Sequence, residues 1–102
     1  MISNNVIQAI NAAKNYPYIL RVGVFGSYAR NEETTISDID ILIDYDSSSD
    51  DFLDDLDGFM EDMERLVHDK IDYITVPGLM KSPDEEFRRS VLNDVRWVYI
   101  ID

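Results

Sequence analysis

Two apolar runs joined through a glycine constrain this chain more than any other feature of it. The first ends in Val24-Phe25-Gly26-Ser27-Tyr28-Ala29-Arg30. The second carries acids at alternate positions, Ser37-Asp38-Ile39-Asp40-Ile41-Leu42-Ile43-Asp44. On a strand, successive side chains point to opposite faces. Asp38 and Asp40 therefore share a face, with Leu42 and Asp44 further along it. Ile39, Ile41, Ile43 and Tyr45 point the other way, into a core. The pattern reads as a strand, a Gly-Ser turn, a short helix from Ser27 to Asn31, a polar loop, and a second strand from Ser37 to Tyr45.

Two carboxylates side by side repel each other, and the usual relief is a proton or a cation. Two hard oxygen donors about 7 Å apart along a strand suit Mg²⁺, which takes one or two carboxylates together with substrate phosphates. An exposed edge strand with a solvated polar face gives the same spacing. Gly26 allows close backbone approach or a positive φ. Ser27 is placed to cap the helix that follows, and helix N-termini with free N–H groups bind phosphate. A phosphate cradle beside paired carboxylates is what metal-assisted nucleotidyl transfer needs. Either half alone is a weak signal; the two on consecutive elements are a strong one. Arg30 can serve a phosphate, a carboxylate of the cluster or a surface ion pair.

The remaining elements read as a scaffold. Val6, Ile7, Ile10 and Ala13 have helical spacing from Ser3, a plausible N-cap, to Asn15, and Pro17 ends that helix. Tyr18 to Phe25 is a buried strand in which Arg21 is expected near an edge or reaching solvent, and Gly23 either gives room for backbone or ligand approach or, the favoured reading, serves local packing. Asp51 to His68 is the longest helix. Phe52, Leu53, Leu56, Phe59, Met60, Met63, Leu66 and Val67 form its apolar stripe, with acids between them. Gly58 interrupts it at a cost of roughly 1 kcal/mol. Asp44 to Ser48 begins like a calcium loop but lacks the glycine and closing Glu that such a loop requires. Lys70 to Val76 is a third strand in which Asp72 is anomalous, because an unpaired buried carboxylate is costly. Asp72 makes sense if it faces Asp38 and Asp40, or if it pairs with Lys70 or Arg21. Pro77-Gly78 is a turn. Ser82-Pro83-Asp84-Glu85 is a capping box for a helix with Phe87, Val91 and Leu92 inward, and Trp97 to Ile101 is a last strand or docked tail. His68, the sole histidine, has no partner for ligation.

The 102 residues suffice for one small domain, and 45% of them are hydrophobic, enough to furnish a core. The net charge of −12 opposes non-specific attraction to nucleic acid, which needs Lys and Arg. It suits a basic protein partner, or a nucleotide whose charge is carried by metal. Cysteine is absent. No apolar run is long enough to span a bilayer and no targeting segment is evident, so cytoplasmic residence is expected.

Gly26-Ser27, Tyr28-Ala29-Arg30 and Ser37-Asp38-Ile39-Asp40-Ile41-Leu42-Ile43, with Lys70-Ile71-Asp72-Tyr73 where a third acid belongs, resemble the signature of the DNA polymerase beta-like nucleotidyltransferase superfamily. The short length points to its minimal branch, commonly the MntA-type antitoxins. The resemblance implies an α/β (α+β) fold over residues 1–102 with a small mixed sheet, like the palm of those polymerases. It implies Asp38, Asp40 and Asp72 as catalytic and metal-holding residues, two Mg²⁺ ions, and Gly26, Ser27 and Arg30 at the nucleotide. It further implies AMP transfer from ATP to a tyrosine on a HEPN-domain toxin, with homo- or hetero-oligomers possible. The competing expectation is a non-catalytic module that neutralises a partner by occlusion. A small-molecule nucleotidyltransferase ranks last, since those enzymes generally carry a further substrate domain.

Overall fold

The computed structural model of the chain describes residues 2–34 and 38–102. Four strands form one mixed sheet in the order β3-β2-β1-β4. β1 (Ile19–Phe25) pairs antiparallel with β2 (Ile39–Tyr45) on one side and with β4 (Arg96–Ile100) on the other. β3 (Ile71–Thr75) runs parallel to β2. A parallel pair needs a long crossover, and α3 (Asp51–Leu66) supplies it. The remaining helices are α1 (Asn4–Asn11), α2 (Gly26–Ala29), α4 (Val76–Met80) and α5 (Glu85–Asp94), with a 3₁₀ turn over Ala12–Asn15. This is the expected mixed α/β sheet with packed helices. Among the described residues, no helix is long and apolar enough to cross a membrane.

The alternation along β1 and β2 sorts their side chains onto two unlike faces. Ile19, Val22, Val24, Ile39, Ile41 and Ile43 pack on Val6, Ile10, Ala13, Phe59, Met63 and Val67, all buried. Burying each valine, isoleucine, phenylalanine or methionine among them stabilises the fold by about 1.5–3 kcal/mol. The second cluster is smaller, with Phe25, Leu42, Leu79 and Val91 at its centre and Ile74, Val76, Val95 and Trp97 around it. It shares its face with Asp38, Asp40 and Asp44, so this side of the sheet is only partly apolar.

Two glycines are dictated by packing. A Cβ on Gly58 would lie 2.7 Å from the ring of Tyr16, whose hydroxyl donates to Asp62 at 2.6 Å. The bare position lets α3 continue unbroken against that ring. A Cβ on Gly23 would meet Val95 at 2.7 Å and the Trp97 ring at 3.1 Å, the packing role expected of it.

Several local expectations change in the structure. Ser3 does cap α1, its hydroxyl accepting from the Val6 N–H. Ser27 caps nothing: the N-cap of α2 is Phe25, and Gly26 is the first helical residue. Pro77-Gly78 belongs to α4, capped by Thr75, whose hydroxyl accepts from the Gly78 N–H at 3.1 Å. The cap of α5 is Asp84 in place of Ser82; its carboxylate accepts from the Phe87 N–H at 3.0 Å. Phe87 and Leu92 are exposed, as are Leu53 and Leu66 of α3, because each helix lays only a narrow stripe on the sheet. Arg21 sits on the second strand in from an edge, so the edge placement fails. Ser37, expected at the head of β2, lies outside the described residues.

Candidate active site

The acids assemble at one end of the β2–β3 pair. Asp40 is the direct register partner of Asp72. Asp38 precedes it by two residues and shares its face. The sequence expectation of a buried Asp72 is corrected: β3 is an edge strand and Asp72 is exposed. Neither of the proposed neutralising pairings for Asp72 forms, since Lys70 meets Asp38 and Arg21 meets Asp44. Asp40 is half-buried between its two neighbours. Burial first, then the charges of Asp72 and Asp38, push its carboxyl above the usual carboxylate range, while the Arg30 guanidinium pulls the other way. Asp40 thus sits among like charges that disfavour its ionised form.

Gly26 stands directly against this group. Its φ is +71°, in the left-handed region, and a Cβ there would collide with Oδ2 of Asp40. Glycine is therefore required twice over, by the backbone and by the carboxylate. The turn from β1 into α2 brings Gly26 beside Asp40, with Ser27 next in the chain. Arg30 at the end of α2 makes ion pairs with Glu32 and Asp94 and with no member of the triad.

Carboxylate oxygens are the donor type that a hard divalent cation takes. The group supplies them from neighbouring strands, with an open side where Asp72 meets solvent, and the carboxylate at its centre carries a charge that its neighbours oppose. Among the described residues, no three His, Cys, Asp or Glu side chains come together closely enough to hold a metal ion by themselves. Two cavities of about 280 and 310 Å³ lie behind α2, sharing Ala29 and Arg96 in their walls; the three acids line neither.

Three contacts here were not visible in the sequence reading. Lys70 Nζ lies 3.6 Å from Asp38 Oδ2. Arg96 Nε donates to the Ala29 carbonyl at 2.7 Å, closing the C-terminal end of α2 from β4. Asp94, at the end of α5, holds Arg30. All three join elements distant in sequence, and pairing such residues requires the strand order.

A model of the nucleotidyltransferase domain matches residues 6–98. The chain belongs to that family. The match spans both strands that carry the acids and the glycine turn that follows β1, so the domain is a nucleotidyltransferase by class. A Methanocaldococcus jannaschii protein named "Putative protein adenylyltransferase MJ0126" is 44% identical over 71 residues, which is 64% of this chain and 69% of that protein. A solved structure of a "putative minimal nucleotidyltransferase" superposes with a TM-score of 0.66 at 27% identity, covering 88% of this chain and 86% of that one. A toxin-antitoxin crystal structure with AMP-PNP shares the fold at a TM-score of 0.63 and 17% identity, covering 97% of this chain and 73% of that one.

Proposed function

We propose that this nucleotidyltransferase moves AMP from ATP to a hydroxyl on a partner protein, a tyrosine of a HEPN-domain toxin, and thereby acts as an antitoxin. The observation that carries the reading is the Asp40–Asp72 register pair with Asp38 on the same face and Gly26 pressed against it. The adenylyltransferase relative supports the donor, and the toxin-antitoxin neighbour supports the partner class.

In this reading Asp38, Asp40 and Asp72 hold Mg²⁺, two ions by family resemblance. Bound there, Mg²⁺ would neutralise charge on the phosphates and on the attacking and leaving oxygens. The chain's own residues do the rest. Gly26 lets the backbone of the turn come close to the triphosphate, and Ser27 follows with its hydroxyl and N–H. Asp72, exposed on the edge strand, is the member of the triad that an acceptor on another protein can reach. It draws the proton from the acceptor hydroxyl. The acceptor oxygen attacks the α-phosphorus, the bond from that phosphorus to the β-bridging oxygen breaks, and pyrophosphate leaves. The acidic chain supplies no basic surface for gripping a nucleic acid.

The test is incubation with labelled ATP, Mg²⁺ and the product of the neighbouring gene. Label should enter that protein on tyrosine, and Asp38→Ala or Asp40→Ala should abolish it. A tight complex that forms without label transfer, and is indifferent to both substitutions, establishes occlusion in its place.

A further inference from the structure

We propose that Lys70 is a resident counter-charge of the carboxylate group, one that holds Asp38 while the acids are free of cations and turns to the nucleotide phosphates once they are not. The inference rests on the reading of Asp38, Asp40 and Asp72 as ligands of a divalent cation, and it assigns a role to a residue outside that set.

The root of the side chain is fixed and its end is free. The Ile39 N–H donates to the Lys70 carbonyl at 2.9 Å, which pins the Lys70 backbone beside the head of β2. The side chain itself is 73% exposed, so its ammonium can re-aim without repacking anything. In the resting arrangement it stands 3.6 Å from Asp38 Oδ2. Such an exposed pair is weak, and a divalent cation competes for the same oxygens at small cost.

The other nearby cations are committed elsewhere. Arg30 is shared between Glu32 and Asp94, Arg21 is bonded to Asp44, and Arg96 is turned to the Ala29 carbonyl. Among the described residues, Lys70 makes the ion pair that reaches the triad. A polyanionic nucleotide approaching a chain of net charge −12 needs positive charge at the point of entry. An ammonium on a flexible stem is a compact point charge suited to phosphate. Displaced from Asp38 by the incoming cation, it becomes available where the phosphates arrive.

The two halves of the proposal move two binding constants in opposite directions, which a merely structural role would not do. Isothermal titration of the whole chain measures each, with Mn²⁺ alone as one probe and Mg²⁺-loaded AMP-PNP as the other. Lys70→Met should bind Mn²⁺ alone about threefold tighter, because a competitor for Asp38 is gone. The same variant should bind the loaded nucleotide about tenfold more weakly, the loss of one charge-assisted contact. Lys70→Arg should bring both values back toward wild type. Unchanged constants in Lys70→Met, or two that move the same way, overturn the proposal. Asp40→Asn separates this from the underlying reading. If wild type binds no Mn²⁺, or Asp40→Asn binds it equally well, the carboxylate reading fails and Lys70 falls with it. If Asp40→Asn alone loses Mn²⁺ while Lys70→Met matches wild type, only the role of Lys70 is refuted.

Discussion

Asp40 and Asp44 lie on the same strand, point to the same face and are four residues apart, yet the fold treats them in opposite ways. Asp44 accepts from Arg21 Nε at 3.0 Å, and that guanidinium rests 4.0 Å from the centre of the Trp97 ring. Its charge is matched by a cation that is itself stacked in place. Asp40 receives no such partner. Burial, then the charges of Asp72 and Asp38, only partly offset by Arg30, raise its carboxyl above the ordinary range. One end of β2 is an ordinary satisfied surface; the other stores repulsion that a cation would relieve. A carboxylate with a raised pKa beside a glycine with no room for a Cβ is the feature on which the proposed function rests.

The largest expected contrast between the two ends is in activity. On the proposed function, Asp40→Asn should lower AMP transfer by about a thousandfold or more, since that reading loses a metal ligand and its charge at the reacting centre. Asp44→Asn, by the same assay, should stay within about threefold of wild type, the scale of an exposed ion pair. Equal losses at both positions would mean that the whole acidic face acts as one unit, and the distinction drawn here would fail.

Next in size is Gly26→Ala. The positive φ and the collision with Asp40 Oδ2 act together, so the variant should lose about 1–3 kcal/mol of stability in urea unfolding. Its transfer rate should fall by more than that loss explains at temperatures where it remains folded, because the shift falls on Asp40. The double variant Gly26→Ala/Asp40→Ala sharpens this: with the carboxylate gone, part of the lost stability should return.

Alternation made the site legible at the level of faces. Asp40 and the isoleucines at 39, 41 and 43 sort correctly from spacing alone, because a period of two fixes which side each residue takes. The same holds for Asp72 against Ile71 and Tyr73. What spacing does not encode is the order of strands. Asp72 reads as buried because its neighbours are apolar, yet its strand lies at the edge. Arg21 reads as lying near an edge or reaching solvent because it is charged; its strand is internal, and its side chain reaches solvent from there beside Asp44. Helical periodicity has the same limit. It finds the direction of the buried stripe but not its width, which is how Phe87 and Leu92 came to be placed inside. The cap of α5 moved by two residues because Ser82, Asp84 and Glu85 offer competing capping oxygens, and the Phe87 N–H takes the carboxylate of Asp84. Lys70, Asp94 and Arg96 lie beyond any local pattern; each acts across a contact that only the assembled sheet creates.

The smallest effect is in stability, and there the two acids should differ in sign. Asp40 has a folded-state pKa above its ordinary value of 3.8. Between those two values the folded chain binds the extra proton, so stability falls as pH rises through that window. Above the folded pKa the penalty for ionised Asp40 is fully present; it is relieved as pH drops toward 3.8. Measured in EDTA, Asp40→Asn should therefore be slightly more stable than wild type at neutral pH, by half a kcal/mol or less, because water and salt screen a half-exposed group. The advantage should shrink on acidification through the window and vanish below it. Asp44→Asn should instead be less stable at neutral pH by about 0.5 kcal/mol, having lost its bond to Arg21. If Asp40→Asn also proves less stable at neutral pH, then Asp40 is supported in the free protein as Asp44 is, and no repulsion awaits a cation at that end of the strand.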